Sequence, residues 1–360
     1  MEKWMRGEVE PPFVLSVAIA LLARLYGAGV RARSRLYGLG ILRARRLPKP
    51  VISVGNLTVG GTGKTPVVIH IAAFLVREGT RPVILSRGYK GSARGLTVVS
   101  DGTRLLAGPA EAGDEPYLAA TRLPGVPVIV CKDRARAGEY AVKKFSPDFI
   151  LLDDGFQHLA LARDVNILLV DSRTGFGGGR LLPRGVLREP VSAARRADVV
   201  LLKGGGGGGG AAARGDIPQA LKALGKPVLR FDYRPVALVN VADGSEASPK
   251  ALGGKSVAAL SALADPRSFH SSLEALGARV AEAVTFPDHH AYTREDLERV
   301  KDAAAGADFV VTTEKDAVKL KGLAGAMEVH ALTIEVDMDE GGLEKLFAPY
   351  LKGLGGGGGS

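Results

Sequence analysis

The stretch Thr58, Val59, Gly60, Gly61, Thr62, Gly63, Lys64 and Thr65 has the residue types and order of a phosphate-binding turn. Glycines let backbone N–H groups converge on phosphate oxygens, and a following helix adds the partial positive charge of its N-terminus. In such a turn Lys64 reaches the β- and γ-phosphates and the Thr65 hydroxyl ligates Mg²⁺. The first position is Thr58 where the strict pattern has glycine. A second candidate is Asp148-Phe-Ile-Leu-Leu-Asp-Asp154, an apolar strand ending in carboxylates. Asp153 and Asp154 at such an edge would hold Mg²⁺ beside the phosphates, or else cap a turn. Gln157 and His158 follow within reach of the same edge.

Three charged turns offer further chemistry. Gly113-Asp-Glu-Pro116 reads first as a helix start, with Asp114 as the cap and a proline in the first turn. Asp288-His-His290 is either a solvated loop or a histidine sharing the proton of a base with a carboxylate. Arg188-Glu-Pro190 is equally open.

These residues need a scaffold. Strands are expected at Pro50–Val54, Pro82–Ser86, Pro127–Cys131, Asp148–Asp153, Val165–Asp171 and Asp198–Leu202. Helices are expected at Lys64–Glu78, Asp114–Arg122 and Asp133–Phe145. Runs such as Phe149–Leu152 and Ile167–Val170 are apolar at every position. That is the mark of strands buried on both faces, so a parallel sheet between helices is predicted. Lys226–Asn240 reads as two strands joined around Arg234-Pro235, a connector to a smaller α/β unit. That unit is built from Val257–Leu260, a helix near Pro266–Leu276, Arg279–Thr285, a helix at Arg294–Ala304 and Phe309–Thr312. Gly204–Gly210 reads as a surface loop and Gly355–Ser360 as a tail. The expected division is 1–47 for an N-terminal helix and basic flank, and 48–225 for a phosphate-loop domain. The connector follows at 226–245, the smaller domain at 246–354 and the tail at 355–360.

Composition narrows the setting. The chain has 360 residues, 46% hydrophobic and 24% charged, which excludes a disordered or fibrous protein. A single cysteine, Cys131, excludes an intramolecular disulfide framework and a Cys-cluster zinc site. The net charge is +10, and between Pro11 and Ser100 the only acidic residue is Glu78. The basic stretch follows the apolar run Phe13–Ala23, which by itself is short of the roughly 20 residues that span a bilayer. A secretory signal places its positive charge before the apolar stretch, whereas here the arginines come after. The run is therefore a helix lying on an anionic membrane surface, or one packed on the protein's own core. Nucleic acid is not an expected partner, because the basic stretch lacks interleaved aromatics and no recognition motif occurs.

Six strings occur in order: Asn56–Pro66, Ser86-Arg-Gly-Tyr-Lys90, Gly113–Pro116, Asp153-Asp-Gly-Phe-Gln-His158, Leu187-Arg-Glu-Pro190 and Phe286-Pro-Asp-His-His290. In these the chain closely resembles the tetraacyldisaccharide 4′-kinases, the lipid A 4′-kinase family, from about Phe13 to near residue 350. The family's own pattern carries threonine where Thr58 stands. The resemblance implies ATP-dependent phosphorylation of the 4′-hydroxyl of a tetraacyl disaccharide 1-phosphate at the cytoplasmic face of the inner membrane. It implies two α/β/α domains joined by a two-stranded connector and closing around nucleotide. It implies that Lys64 and Thr65 bind ATP and Mg²⁺, and that Asp153 and Asp154 serve the metal. It further implies that Asp114 is the base, paired with His289, and that Arg87, Glu115, Gln157, His158, Arg188 and Glu189 line the site, Glu189 on the metal side. A P-loop GTPase is the rival reading, but its base-reading motif is missing: Thr313-Glu-Lys-Asp316 has the wrong spacing. A membrane-surface scaffold without catalysis would leave the phosphate-loop elements idle.

Overall fold

The computed structural model describes residues 12–60, 63–204, 219–323 and 327–352. Gly61, Thr62, most of the Gly204–Gly210 run and the Gly355–Ser360 tail lie outside the described residues. The chain divides into two compact units. Unit one is Met1–Arg87, Cys131–Asp232 and Asp337–Ser360; unit two is Gly88–Val130 and Tyr233–Val336.

Unit one holds helix α1 (Phe13–Gly38) and strands β1 (Val51–Gly55), β2 (Pro82–Ser86), β5 (Phe149–Asp153), β6 (Val165–Asp171) and β7 (Val199–Lys203). The first part of β8 (Val228–Asn240) completes its sheet in the order β8-β7-β6-β1-β5-β2, every pairing parallel. All five residues of β1, β2 and β5 are buried, as continuous apolar runs require when helices cover both faces. One cover is α2 (Lys64–Arg77), whose Phe74 meets Phe347 of α8 (Gly341–Leu351) with ring centroids 6.0 Å apart. Another is α4 (Arg134–Phe145), capped by the Asp133 carboxylate on two backbone N–H groups.

Unit two contains a parallel sheet of β11 (Arg279–Thr285), β10 (Ser256–Ser261), β12 (Phe309–Thr313) and β13 (Val329–Met338) in that order. The second part of β8 lies beside β13 and pairs antiparallel with β9 (Glu246–Ala247). Helices α5 (Pro266–Ala275), α6 (Arg294–Ala303) and α7 (Glu314–Leu320) pack around it. The same unit holds α3 (Asp114–Arg122) and an antiparallel pair, β3 (Thr97–Asp101) with β4 (Pro127–Val130). Buried Leu260, Phe286, Tyr292, Leu297, Val300 and Leu320 form one of its cores.

Two expectations are corrected. Lys226–Asn240 is not two strands broken at Arg234-Pro235 but the single strand β8. Pro235 lies between the residues that pair with β7 and those that pair with β9, so its missing N–H breaks neither ladder. The phosphate-loop domain is also not the continuous block 48–225, because Gly88–Val130 clusters with the second unit. The cause is the packing of α3 against α7, tied by an ion pair from Arg122 to Glu314.

Helix α1 runs for 26 residues, past Arg24, and by length and composition it is long and apolar enough to cross a membrane. The short run read from the sequence continues through Leu25 and Val30, so length does not limit it. Only Ile19, Ala23 and Gly27 are buried, a stripe one residue wide at a spacing of four. Phe13 and Val14 are more than three-quarters exposed, and Leu21, Leu22 and Leu25 more than half. A helix packed wholly on its own core would hide those side chains, so α1 is a candidate membrane anchor.

Candidate active site

The unit-one site begins where β1 ends. Backbone bonds from Val59 N–H to the Val186 carbonyl (2.8 Å) and from Arg188 N–H to the Leu57 carbonyl (2.7 Å) pin the turn to the 186–188 segment. Thr58 forms an antiparallel bridge with Leu187 and its hydroxyl accepts from the Asn56 amide. Its φ is not positive, which is why this position does without glycine. Gly63 does need to be glycine: it caps α2 with φ 71°, a left-handed conformation. Lys64 and the buried Thr65 then open α2.

Lys64 Nζ lies 3.6 Å from Asp154 Oδ1 and 3.5 Å from the Asn56 amide oxygen. Arg188 donates to Asp154 Oδ2 at 2.7 Å. Gln157 donates to the Asn56 carbonyl (2.7 Å) and to Glu189 Oε2 (3.3 Å), and Arg196 donates to the same Glu189 oxygen at 2.6 Å. Asp154 has φ 52°, so the strand end kinks and turns this carboxylate away from the ladder that holds Asp153. Burial pulls the Asp154 carboxyl upward, but Lys64, Arg188 and Arg134 outweigh it and hold the group ionised. His158 goes the other way. Burial, then the charges of Arg134 and Arg163, push its pKa down to about 4, so it is an uncharged imidazole near neutral pH.

Mg²⁺ suits this donor set. The Thr65 hydroxyl and the carboxylates of Asp153 and Asp154 are hard oxygen ligands. Among the described residues no three His, Cys, Asp or Glu stand close enough to cage a metal unaided. Glu189 is already engaged by Arg196 and Gln157. Arg87 follows β2 and is exposed; its charge bears on the buried Arg134.

Unit two carries a second cluster of candidate residues. Asp114 is the first residue of α3, yet its side chain does not cap that helix. Its Oδ2 instead meets His289 Nδ1 at 3.1 Å and Lys319 Nζ at 3.4 Å. The cap reading of Gly113–Pro116 is thus wrong, because the carboxylate is committed to a long-range partner. His289 Nε2 lies 3.3 Å from Lys315 Nζ, which also donates to Asp288 Oδ1 at 2.6 Å. An ammonium only donates, so Nε2 accepts and Nδ1 carries the proton that His289 gives Asp114. Burial raises the Asp114 pKa, but the bond from His289 and the charge of Lys319 prevail and lower it. Lys90 donates to the Asp288 carbonyl, and the Tyr89 ring meets His289 edge-on at 5.4 Å. His290 serves the fold instead, bonding Asp296 of the Thr293 capping box at the start of α6. Glu115 is half-buried on α3, and its side chain makes no hydrogen bond or ion pair among the described residues.

Asp114 owes its place to Gly113, at φ 89°, where a Cβ would lie 2.8 Å from the Tyr89 carbonyl oxygen. Gly113→Ala must therefore move the carboxylate or the Tyr89 backbone. It is expected to lower turnover at least tenfold and to lower the melting temperature by several degrees, read by steady-state rates and thermal unfolding.

Lys315, Lys319, Asn56, Arg134 and Arg196 join the two sites without having been expected from the sequence. For the two lysines a signal existed. They stand four apart in a helix, on one face, Lys315 inside the string that fails as a GTPase motif and Lys319 just beyond it.

A strand, a phosphate loop opening a helix and an acid-tipped neighbouring strand define a P-loop nucleotide-binding protein. Residues 15–352 match the family model described as tetraacyldisaccharide-1-P 4′-kinase. A tetraacyldisaccharide 4′-kinase of Geobacter sulfurreducens is 42% identical over 325 residues, 90% of each chain. One from an Anaeromyxobacter strain is 45% identical over 340 residues, 93% of this chain and 90% of its own. The crystal structure of the "apo" form of LpxK from Aquifex aeolicus in complex with ATP is 37% identical, covers 94% of this chain and 99% of its own, and superposes with a TM-score of 0.76. The chain belongs to the tetraacyldisaccharide-1-P 4′-kinase family of ATP-dependent kinases.

Proposed function

We propose that the protein transfers the γ-phosphoryl group of ATP to the 4′-hydroxyl of tetraacyldisaccharide 1-phosphate, giving lipid IVA, at the cytoplasmic face of the inner membrane. The observation that carries this reading is the buried Asp114–His289 pair in a chain that also holds the Lys64 phosphate loop. Hydrolysis of a nucleotide needs only the loop and a water. A sugar hydroxyl is a poor nucleophile until a group takes its proton, and the Asp–His pair is such a group. Lys64 and Arg188 steady Asp154 and supply positive charge where phosphates collect. Mg²⁺, when bound through Thr65, Asp153 and Asp154, neutralises charge on the transferred group. With γ-labelled ATP the label should pass to the lipid phase only when the disaccharide acceptor is present. Label released solely as free phosphate would contradict the reading.

The acceptor is a lipid, and α1 matches it. Exposed Phe13, Val14, Val17, Leu21, Leu22 and Leu25 precede Arg31, Arg33 and Arg35. An apolar face and a basic flank are the two signals that stable association with an anionic surface requires. In the full chain, Leu21→Asp with Leu25→Asp should weaken flotation with phosphatidylglycerol vesicles at least tenfold while leaving ATP affinity unchanged. Undiminished flotation would remove α1 as the anchor.

A further inference from the structure

Two opposite faces run the length of α1. Val14, Leu25 and Leu36 are exposed and stand eleven residues apart, three helical turns, so they lie on one line about 33 Å long. Ile19, Ala23, Gly27, Val30, Ser34 and Tyr37 follow at spacings of three and four on the other side and are buried or half-buried. Unit one grips that side. A Cβ on Gly27 would lie 2.6 Å from Leu181 Cδ1, Tyr26 donates to the Arg188 carbonyl at 2.8 Å, and Arg33 donates to the Gln157 carbonyl at 3.2 Å. Arg24 stands at the middle of the 26-residue helix. A helix crossing the bilayer would carry that guanidinium to the midplane, where charge is costly. Arg24 and Arg35 each stand one position before a residue of the outer line, so they lie beside it, where a long side chain reaches lipid headgroups.

The outer line does not stop with the helix. Leu39, Ile41 and Leu42 follow it in a turn, and Leu39 and Ile41 are 75% and 65% exposed. Backbone bonds hold this turn on both sides. Leu39 N–H donates to the Arg35 carbonyl at 2.8 Å and Leu42 N–H to the Leu36 carbonyl at 3.1 Å, with Gly40 at φ 73° between them. Beyond it Arg45 N–H donates to the Ala160 carbonyl (2.9 Å) and its carbonyl accepts from Ala162 (2.8 Å). Three apolar side chains are therefore held outward by a fixed backbone. Arg45 and Arg46 are answered by Glu139 and Asp164, whereas Arg24, Arg31, Arg35 and Arg43 meet no carboxylate among the described residues. Exposed apolar side chains flanked by unpaired arginines fit an anionic lipid surface.

We propose that the turn Leu39–Leu42 is a second insertion point in an anionic phospholipid surface, and that α1 lies along that surface instead of crossing it. The inference rests on the anchoring role of α1 given above and adds to it a second contact and an orientation. A helix dipping in by its N-terminus would leave Leu39 about 21 Å beyond Leu25 along the axis, out in water. With the helix lying flat, the outer line and the turn enter the leaflet together and the arginines meet lipid phosphates. Leu39 and Ile41 are exposed, so their replacement does not threaten folding.

The test uses the full-length protein with vesicles of phosphatidylglycerol and of phosphatidylcholine. The wild type should float better with phosphatidylglycerol. Leu39→Asp/Ile41→Asp should weaken that flotation roughly tenfold or more, with ATP affinity unchanged as the sign of an intact fold. Depth is read separately with Leu25→Trp and Ile41→Trp, each in a Trp4→Phe background, since Trp4 is the only tryptophan. Both reporters should be quenched most by lipids brominated near the headgroup end of the acyl chain. Leu25→Trp quenched most by lipids brominated at the chain end would put the helix across the bilayer, and an unquenched Ile41→Trp would leave the turn in water. Either result overturns the proposal, as does undiminished flotation of Leu39→Asp/Ile41→Asp or equal flotation with the two lipids. Should Leu21→Asp/Leu25→Asp float undiminished as well, α1 itself fails as the anchor. Transfer of label from ATP to the acceptor tests the kinase reading independently of all these outcomes.

Discussion

Lys64→Ala should lower kcat by roughly 10²-fold or more, because a single preorganised charge on a transferring group is worth that much. The Lys64 ammonium stands 3.6 Å from Asp154, beside the turn that would hold the phosphates. Removing it takes away a cation from the nucleotide and leaves Asp154 relying on Arg188 and Arg134. The side chain is only 10% exposed, so solvent replaces little of the lost charge. A weakened KM for ATP with kcat intact would mean that Lys64 binds the ground state and the transition state equally. Stopped-flow or coupled assays at saturating ATP distinguish the two.

The second large effect belongs to the Asp–His pair. Asp114→Asn and His289→Ala should each cost roughly 10²-fold or more in kcat, the usual range for a group that takes a proton in the transition state. The two residues share one hydrogen bond, so they act as a unit. The double variant should be no slower than the slower single variant by more than a few-fold. Multiplicative losses would show that the residues serve separate steps. ATP affinity should stay near that of the wild type in all three proteins, because the pair acts on the acceptor's proton and not on the phosphates. Activity should also fall toward acid pH. The Asp114 pKa is lowered in the folded protein, so its charge persists to low pH and the rate is lost only once this carboxylate takes up a proton.

Much of this was legible in the residues. The parallel sheet of unit one showed itself because β1, β5 and β6 are apolar without alternation, a pattern that buried parallel strands impose. The phosphate loop showed itself because close approach to phosphate demands glycine at fixed places. What stayed hidden depends on contacts far apart in sequence. Nothing local distinguishes Asp114 as a helix cap from Asp114 as a partner for a histidine 175 positions away. Strand β3 alternates weakly and pairs antiparallel with β4, and its short length gives little periodicity to read. Pro235 suggested a break because proline removes a donor, yet it lies between the residues that pair with β7 and those that pair with β9. Lys315 hides in a string that invites comparison with a nucleotide-reading motif, and Lys319 lies just beyond it. Their spacing of four already placed both ammonium groups on one helical face.

One reaction lies at the centre, and the mass and position of the new phosphate test it most directly. Purified full-length protein, ATP, Mg²⁺ and tetraacyldisaccharide 1-phosphate would be incubated in detergent micelles, and the lipid product analysed by mass spectrometry and phosphorus NMR. The expected product has gained one phosphate, on the 4′-oxygen of the distal sugar, and it fails to form with Lys64→Ala or Asp114→Asn. An unmodified lipid, or a phosphate placed on any other oxygen, would contradict the assignment.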